Sequence, residues 1–247
     1  MINSNIFLIL KVKVSKKIVD ATLLFTQVPA TKPPEYGISD QVHCVPVNGL
    51  ADIKKPWKKY VILGAGKTGM DAILHLLDSN VDPKNITWIV SNDCWFFNRD
   101  PFTKTDLKYF VNLFPIIFGA QAEATDINDI YKRWEDVGFM NRLDKNIWPT
   151  KMRSATVSSE EVKRLQTISN IIRMGRIDRI ENDNIVFQNG KTIPTDADTL
   201  HVDCTASGTN FPPLKDKVYD GNQINLQMIQ PNQPCTSGAI IASLELM

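Results

Sequence analysis

The stretch Tyr60-Val-Ile-Leu-Gly-Ala-Gly-Lys-Thr-Gly-Met-Asp71 decides the fold. Val61, Ile62 and Leu63 form a short continuous apolar run, the pattern of a strand buried on both faces of a parallel sheet. Gly64, Gly66 and Gly69 follow with the spacing Gly-x-Gly-x-x-Gly. Met70, Ile73, Leu74 and Leu77 then fall at i, i+3, i+4 and i+7, one apolar stripe of a helix. The helix breaks at Ser79-Asn80, and Ile86-Thr-Trp-Ile-Val90 resumes as a strand rich in β-branched residues. The unit reads strand, glycine turn, helix, strand.

Each glycine has its own physical reason. Gly64 permits the tight turn, Gly66 leaves the backbone open to a pyrophosphate, and Gly69 lets the helix pack closely on the sheet. The helix beginning near Lys67 directs its free N–H groups and positive dipole end at the phosphates, so Gly64, Ala65, Gly66, Lys67, Thr68 and Gly69 are candidate cofactor-binding residues. An ordinary tight turn is the alternative, but the strand before and the helix after favour a dinucleotide site. Such sites carry an acidic group for the ribose 2′-hydroxyl about 20 residues onward. Asp93 stands just beyond Val90 and would favour NAD, whereas Ser91 with Arg99 nearby would accept the 2′-phosphate of NADP. Both alternatives stay open, and the expected cofactor is NAD(P)H.

The chain has 247 residues, 43% hydrophobic and 22% charged, with a formal net charge of +1, the composition of an ordinary globular protein. That charge gives no electrostatic footprint for nucleic acid, and the sequence reads as lacking a dense Lys/Arg cluster. Ile6–Leu10 is a short apolar run leading into the alternating Lys11–Val14, a first strand rather than a signal peptide. No stretch approaches the ~20 apolar residues of a membrane span. The expected location is therefore cytoplasmic. Cys44, Cys94, Cys204 and Cys235 are too scattered for a redox pair or a metal site and read as buried free thiols. His43, His75 and His201 are equally scattered, and no metal is expected.

Residues 1–56 look like an entry segment, with strand-like Lys17–Ala21 and Leu23–Phe25 and then Pro29, Pro33, Pro34, Gly37 and Pro46 against regular structure. Lys54-Lys-Pro56 punctuates the chain before the glycine-turn strand. A helical insertion is expected over about 98–169: Thr105–Phe118, kinked or ended by Pro115; amphipathic Asp126–Val137; and Ser159 to about Ser169, introduced by the capping box Ser158 and Glu161. A strand at Ile171–Met174 and an antiparallel meander over Arg176–Glu181, Ile185–Gln188 and Lys191–Pro194 follow, with Asn189-Gly190 as hairpin turn. Thr199–Cys204 then ends in the small residues Thr205-Ala-Ser-Gly208. The fold class is α/β: a Rossmann-like parallel sheet over 57–210 with a helical insertion and an antiparallel meander.

This order of elements resembles the pyridine-nucleotide domain of the two-dinucleotide flavoproteins, the flavin-containing monooxygenases and the disulfide-reductase-like enzymes. In that family the last strand carries an Asp shortly before Ala-Thr-Gly, beside flavin and nicotinamide. Asp203-Cys-Thr-Ala-Ser-Gly208 fills that place, with Ser207 where Thr is usual. The resemblance thereby implies Asp203, Ala206 and Gly208 as further cofactor-binding residues and FAD as a second cofactor. Lys17–Ala21 resembles the segment leaving a flavin domain, and Gln233–Ala242 the start of its closing helix. Residues 1–56 and 211–247 thus read as partial flavin-domain segments. The family's own FAD glycine turn and its Phe-x-Gly-x-x-x-His fingerprint have no counterpart here, so the chain is expected to be a truncated representative.

The expected function is an oxidoreductase, or its remnant, in which NAD(P)H delivers hydride to FAD, with monooxygenase chemistry implied by the resemblance. Catalytic residues are not identified, since the cofactors carry that chemistry. The alternative is a non-catalytic dinucleotide-binding or interaction module without flavin. The expected partners are the dinucleotide and a small-molecule substrate, with a homo-oligomer left open.

Overall fold

Short β-branched and aromatic runs separated by Gly, Pro and Asn turns give this chain many brief strands and few long helices. In chain order β1 is Ile18–Asp20, β2 Gly37–Ile38, β3 Cys44–Pro46, β4 Lys59–Leu63, α1 Lys67–Asp78, β5 Ile86–Ile89 and β6 Cys94–Asn98. Then come α2 (Leu107–Ala122), α3 (Ile127–Asp136), β7 (Met140–Asn141), β8 (Lys151–Val157), α4 (Ser159–Leu165) and β9 (Asn170–Ile172). The last elements are β10 (Ile177–Ile180), β11 (Asn184–Phe187), β12 (Thr192–Pro194), β13 (Thr199–Asp203), β14 (Tyr219–Asp220), β15 (Gln223–Asn225) and α5 (Pro234–Glu245). The computed structural model describes residues 11, 13–22, 27–103, 107–206, 217–229 and 234–247. The expected strands at Ile6–Leu10 and Leu23–Phe25, and Gly208, lie outside the described residues.

Val28–Ala206 forms one compact unit, and the described residues before and after it form another. The larger unit is built on a parallel sheet in the order β3-β13-β4-β5-β9. Tyr60, Val61, Ile62 and Leu63 are all buried, as a strand covered on both faces requires. On one face α1 and α4 pack through Met70, Ile73, Leu74, Leu76, Val162 and Leu165 onto Ile62 and Trp88. On the other, Val61, Leu63 and Ile89 meet Ile177, Ile180, Ile185 and Phe187 of the meander. The unit starts at Val28 and not at residue 57, because β3 pairs with β13 and β2 with β10. Pairing with β2 is parallel, so the meander sheet is mixed and not purely antiparallel.

The hairpin turn differs from expectation in one residue. Only Gly190 has positive φ (80°), and its N–H bonds the carbonyl of Phe187, while the Phe187 N–H reaches Lys191. This is the three-residue loop with glycine alone in the left-handed region; Asn189 instead uses its amide to bond the Met174 carbonyl.

The insertion is only partly helical. β6, β7 and β8 make a small sheet that the sequence reading missed, and Trp95 and Phe96 of β6 are buried. α2 runs through Pro115 to Ala122. The carbonyl that loses its partner belongs to Val111, on the exposed side where water can replace the bond. α4 is shorter than expected, ending at Leu165, and its capping box is complete: Glu161 N donates to Ser158 Oγ (3.1 Å) and Ser158 N to Glu161 Oε2 (2.7 Å).

The keystone of the insertion is Arg142. Its guanidinium lies 5.3 Å from the Trp95 ring centroid and 5.1 Å from that of Trp148, and donates two 3.1 Å bonds to Glu135. Their side chains are only 10% and 5% exposed, so removing the arginine strands a desolvated carboxylate with Lys145 as its remaining partner. Arg142→Ala is expected to lower stability by about 3 kcal/mol in urea unfolding, and Arg142→Ala with Glu135→Gln to recover part of that loss.

His201 is buried in β13 with Nδ1 3.1 Å from the His43 carbonyl and Nε2 2.9 Å from the Thr195 hydroxyl. A carbonyl only accepts, so the proton sits on Nδ1 of a neutral ring. Burial lowers its pKa, although the His43 carbonyl and Asp196 pull the other way. The unfolded chain protonates near the ordinary value of about 6.5 while the folded chain resists. Stability from this ring is therefore complete above that pH and is lost as pH falls below it. His201→Gln should flatten the decline in unfolding free energy between pH 7.5 and 5; an unchanged slope would contradict the assignment.

In the smaller unit β1 pairs parallel with β15, which pairs antiparallel with β14. Tyr219 Oη donates to the Ile241 carbonyl of α5 (2.6 Å), and Lys17 pairs with Glu245 (2.5 Å).

Candidate functional site

The carboxyl ends of β4, β5, β9 and β13 share one edge of the parallel sheet. Taken from β4, the chain adds β5 and then β9 on one side and β13 on the other, so the strand order reverses between β4 and β13. Ligands of open α/β sheets bind outside the strand ends at such a reversal. The glycine turn lies there.

The three glycines divide by what a side chain would meet. At Gly64, φ is +116°, and an added Cβ would lie 3.0 Å from the Cys204 carbonyl oxygen. At Gly69 a Cβ would lie 2.3 Å from the Gly64 carbonyl oxygen, an impossible overlap with backbone. At Gly66 a Cβ would meet nothing within 4 Å, and φ −81°, ψ 178° is open to any residue. Two glycines are thus required by packing, and the third guards empty space. Gly66 is also the N-cap of α1 and offers no side-chain cap, nor is there an acidic residue in the first turn. The terminal N–H groups and the dipole are left for an anion.

The turn itself is firmly held. Gly64 N donates to the Ile89 carbonyl (3.1 Å), Cys204 N to the Leu63 carbonyl (3.0 Å), and Trp88 Nε1 to the Gly64 carbonyl (2.9 Å). Ala65 packs on the main core. Thr68 is exposed, and Lys67 is half-buried with its ammonium on Asp71 one turn along.

The remaining candidates separate into two groups. Ser91 and Asp93 lie in the loop after β5, and Ala206 three residues beyond β13, at the same sheet edge. Arg99 is elsewhere: it pairs with Glu161 at the start of α4. Burial works to raise the Glu161 carboxyl, but the Ser158 and Arg99 bonds outweigh it and hold it below the usual range. The arginine that does reach the loop after β5 is Arg173, next after β9, whose Nε and Nη2 bond Asp93 at 2.9 and 3.2 Å. Its Nη2 also lies 3.6 Å from Asp144. Sequence reasoning missed it although it directly follows the apolar pair Ile171-Ile172, a basic residue at a strand's carboxyl end.

Asp203 is buried, and its Oδ1 accepts from Thr205 N (2.8 Å) and Thr205 Oγ1 (2.6 Å), which fixes the small-residue loop beside Gly64. Burial, then the Asp203 charge, pushes the Cys44 thiol up to about 11, and burial pushes Cys204 up to about 12. Both stay protonated thiols near neutrality, without nucleophilic activation. Cys44 is half-buried and Cys235 exposed, so the expectation of buried thiols holds for Cys94 and Cys204 only. Among the described residues no group of three or more His, Cys, Asp or Glu is placed to hold a metal, and no helix is long and apolar enough to cross a membrane.

No family model matches the chain. Uncharacterized proteins of Mycobacterium bovis and of two Mycobacterium tuberculosis strains are each 38% identical to it over 238 residues, 95% of this chain. The chain spans less than half of their length, 43%. Among solved structures it is similar to L-lysine 6-monooxygenase from Pseudomonas syringae, with 13% identity, 92% of this chain and 63% of that one covered, and a TM-score of 0.41. It is also similar to the ornithine N-hydroxylase of Kutzneria sp. 744, solved with FADred, NADP+ and L-orn: 13% identity, 93% and 63% covered, TM-score 0.44.

The division among the glycines has a direct test. Gly69→Ala should cost at least about 2 kcal/mol of stability through backbone overlap, whereas Gly66→Ala should stay within about 1 kcal/mol of the parent. Equal losses in thermal or urea unfolding would refute the division.

Proposed function

We propose that this chain binds a nicotinamide dinucleotide, NADH or NADPH, at the glycine turn and is the nucleotide-binding part of an oxidoreductase. The observation that carries the reading is Gly66: the fold needs glycine at 64 and 69, and at 66 only an approaching ligand does. The N–H groups at the start of α1 would hold the pyrophosphate, with the helix dipole adding to the attraction. Asp93 would accept from a ribose 2′-hydroxyl, while Arg173, turned from Asp93, would pair with a 2′-phosphate. Ser91 stands in the same loop, and Ala206 keeps the loop after β13 small beside the turn.

When bound, such a cofactor supplies hydride; in the flavoproteins that the sequence resembles, the acceptor is FAD, and substrate oxidation follows there. Assignment of the chain before Val28 and of residues 211–247 to a flavin domain belongs to this proposal, as do the activity and substrate of a longer protein of the kind the curated relatives represent. Gly66→Ala should fold and lose most of the affinity for both dinucleotides. Arg173→Ala should weaken NADPH by about tenfold, the worth of a charged hydrogen bond, and spare NADH. Asp93→Ala should weaken NADH and spare NADPH. Calorimetric titration of the full chain reads all of these, and absence of saturable binding by either dinucleotide in folded protein overturns the proposal. Absorbance near ~450 nm in the purified protein tests for retained flavin.

A further inference from the structure

A shallow, open surface cavity of about 520 Å³ lies at the other end of the parallel sheet, where β4 and β13 begin. Its wall is the segment 53–58 together with Asp198. The run Lys54-Lys-Pro-Trp-Lys-Lys59 places four lysines around one indole, a density that the overall charge of +1 conceals.

The lysines are not equivalent. Lys58 bonds Asp198 at 2.7 Å and Lys59 bonds Asp196 at 2.6 Å. Lys54 and Lys55 are exposed, line the cavity and have no ion-pair partner among the described residues, so the cluster carries an excess of two positive charges. Trp57 stands between the paired and unpaired lysines. Its backbone N–H is tied to Tyr60 Oη (2.9 Å), and its half-buried ring packs against the main core and against His43, with centroids 4.6 Å apart, while lining the cavity.

Small-molecule sites commonly measure about 300–1,000 Å³ and combine apolar walls with a few converging polar groups. An indole offers a stacking face for a planar ring, and two unpaired ammonium groups suit adjacent phosphates. We propose that this cavity binds a nucleoside polyphosphate, with Lys54 and Lys55 on the phosphates and Trp57 against the base. A simple dicarboxylate would satisfy the lysines and leave the indole unused. Because the cavity and the glycine turn lie at opposite ends of β4, the two sites are separate.

ATP titrated calorimetrically into the full chain is the test, with tripolyphosphate as the probe of charge alone. ATP should bind saturably, more tightly than tripolyphosphate, and more weakly as salt rises. Lys54→Ala with Lys55→Ala, both exposed positions, should weaken ATP at least tenfold and leave NADPH within twofold; Trp57→Phe should retain more ATP affinity than Trp57→Ala. Gly66→Ala should do the reverse of the lysine variant, so failure of NADPH binding leaves this test intact. Equal affinity for ATP in the parent and the double lysine variant, equal affinity for tripolyphosphate and ATP, or no saturable ATP binding overturns the proposal.

Discussion

The carbonyl of Gly64 is the point on which the larger unit depends. It accepts the Trp88 indole N–H from the neighbouring strand, and it is the atom against which Gly69 of α1 is pressed. One peptide group therefore joins β4, α1 and β5. A side chain at residue 69 would push the helix off the sheet, and α1 carries much of the core on that face. Tight packing at this point is also what points the helix N-terminus past the strand ends. Stability and the geometry of the helix N-terminus thus have a common origin, and of the three turn glycines Gly66 alone is released from the packing constraint.

Charges around the sheet edge are largely committed. Lys67 is on Asp71 and Asp93 on Arg173, while away from that edge Arg99 is on Glu161. These partly exposed pairs contribute little to stability individually. Their effect is on geometry: Arg99 is kept with the insertion, and Arg173 is kept at the loop after β5. On the proposed reading, an anionic ribose substituent would compete with Asp93 for Arg173 and a neutral hydroxyl with Arg173 for Asp93, so the pair would discriminate between the two.

The β4–α1–β5 unit and its glycine turn were legible in the sequence because both are local. An apolar run, fixed glycine spacing and a helical stripe lie within twenty residues, and each follows from backbone sterics or periodicity. Ser158 and Glu161 were legible for the same reason. β6 and β8 were not, since their pairing spans more than fifty residues, and the short aromatic run of β6 fits a helix or a strand equally well. Arg99 was singled out by its nearness to Ser91 in sequence. β9, added to the sheet by a long crossover, brings the more distant arginine to Asp93, and no local pattern encodes that. Lys54 and Lys55 were visible but read with Pro56 as punctuation, because a whole-chain charge averages the four lysines at 54–59 away.

Arg173 also reaches Asp144 in the insertion, 3.6 Å away, so a single guanidinium spans the loop after β5 and the segment following β7. Asp144 is in turn close in sequence to Arg142, whose guanidinium lies against both Trp95 and Trp148 and pairs with Glu135, which fixes that segment. The insertion is thereby tied to the candidate ribose end of the site through named side chains. A ligand that draws Arg173 away from Asp93 must also disturb its contact with Asp144, and the aromatic packing around Arg142 limits how far that segment can follow.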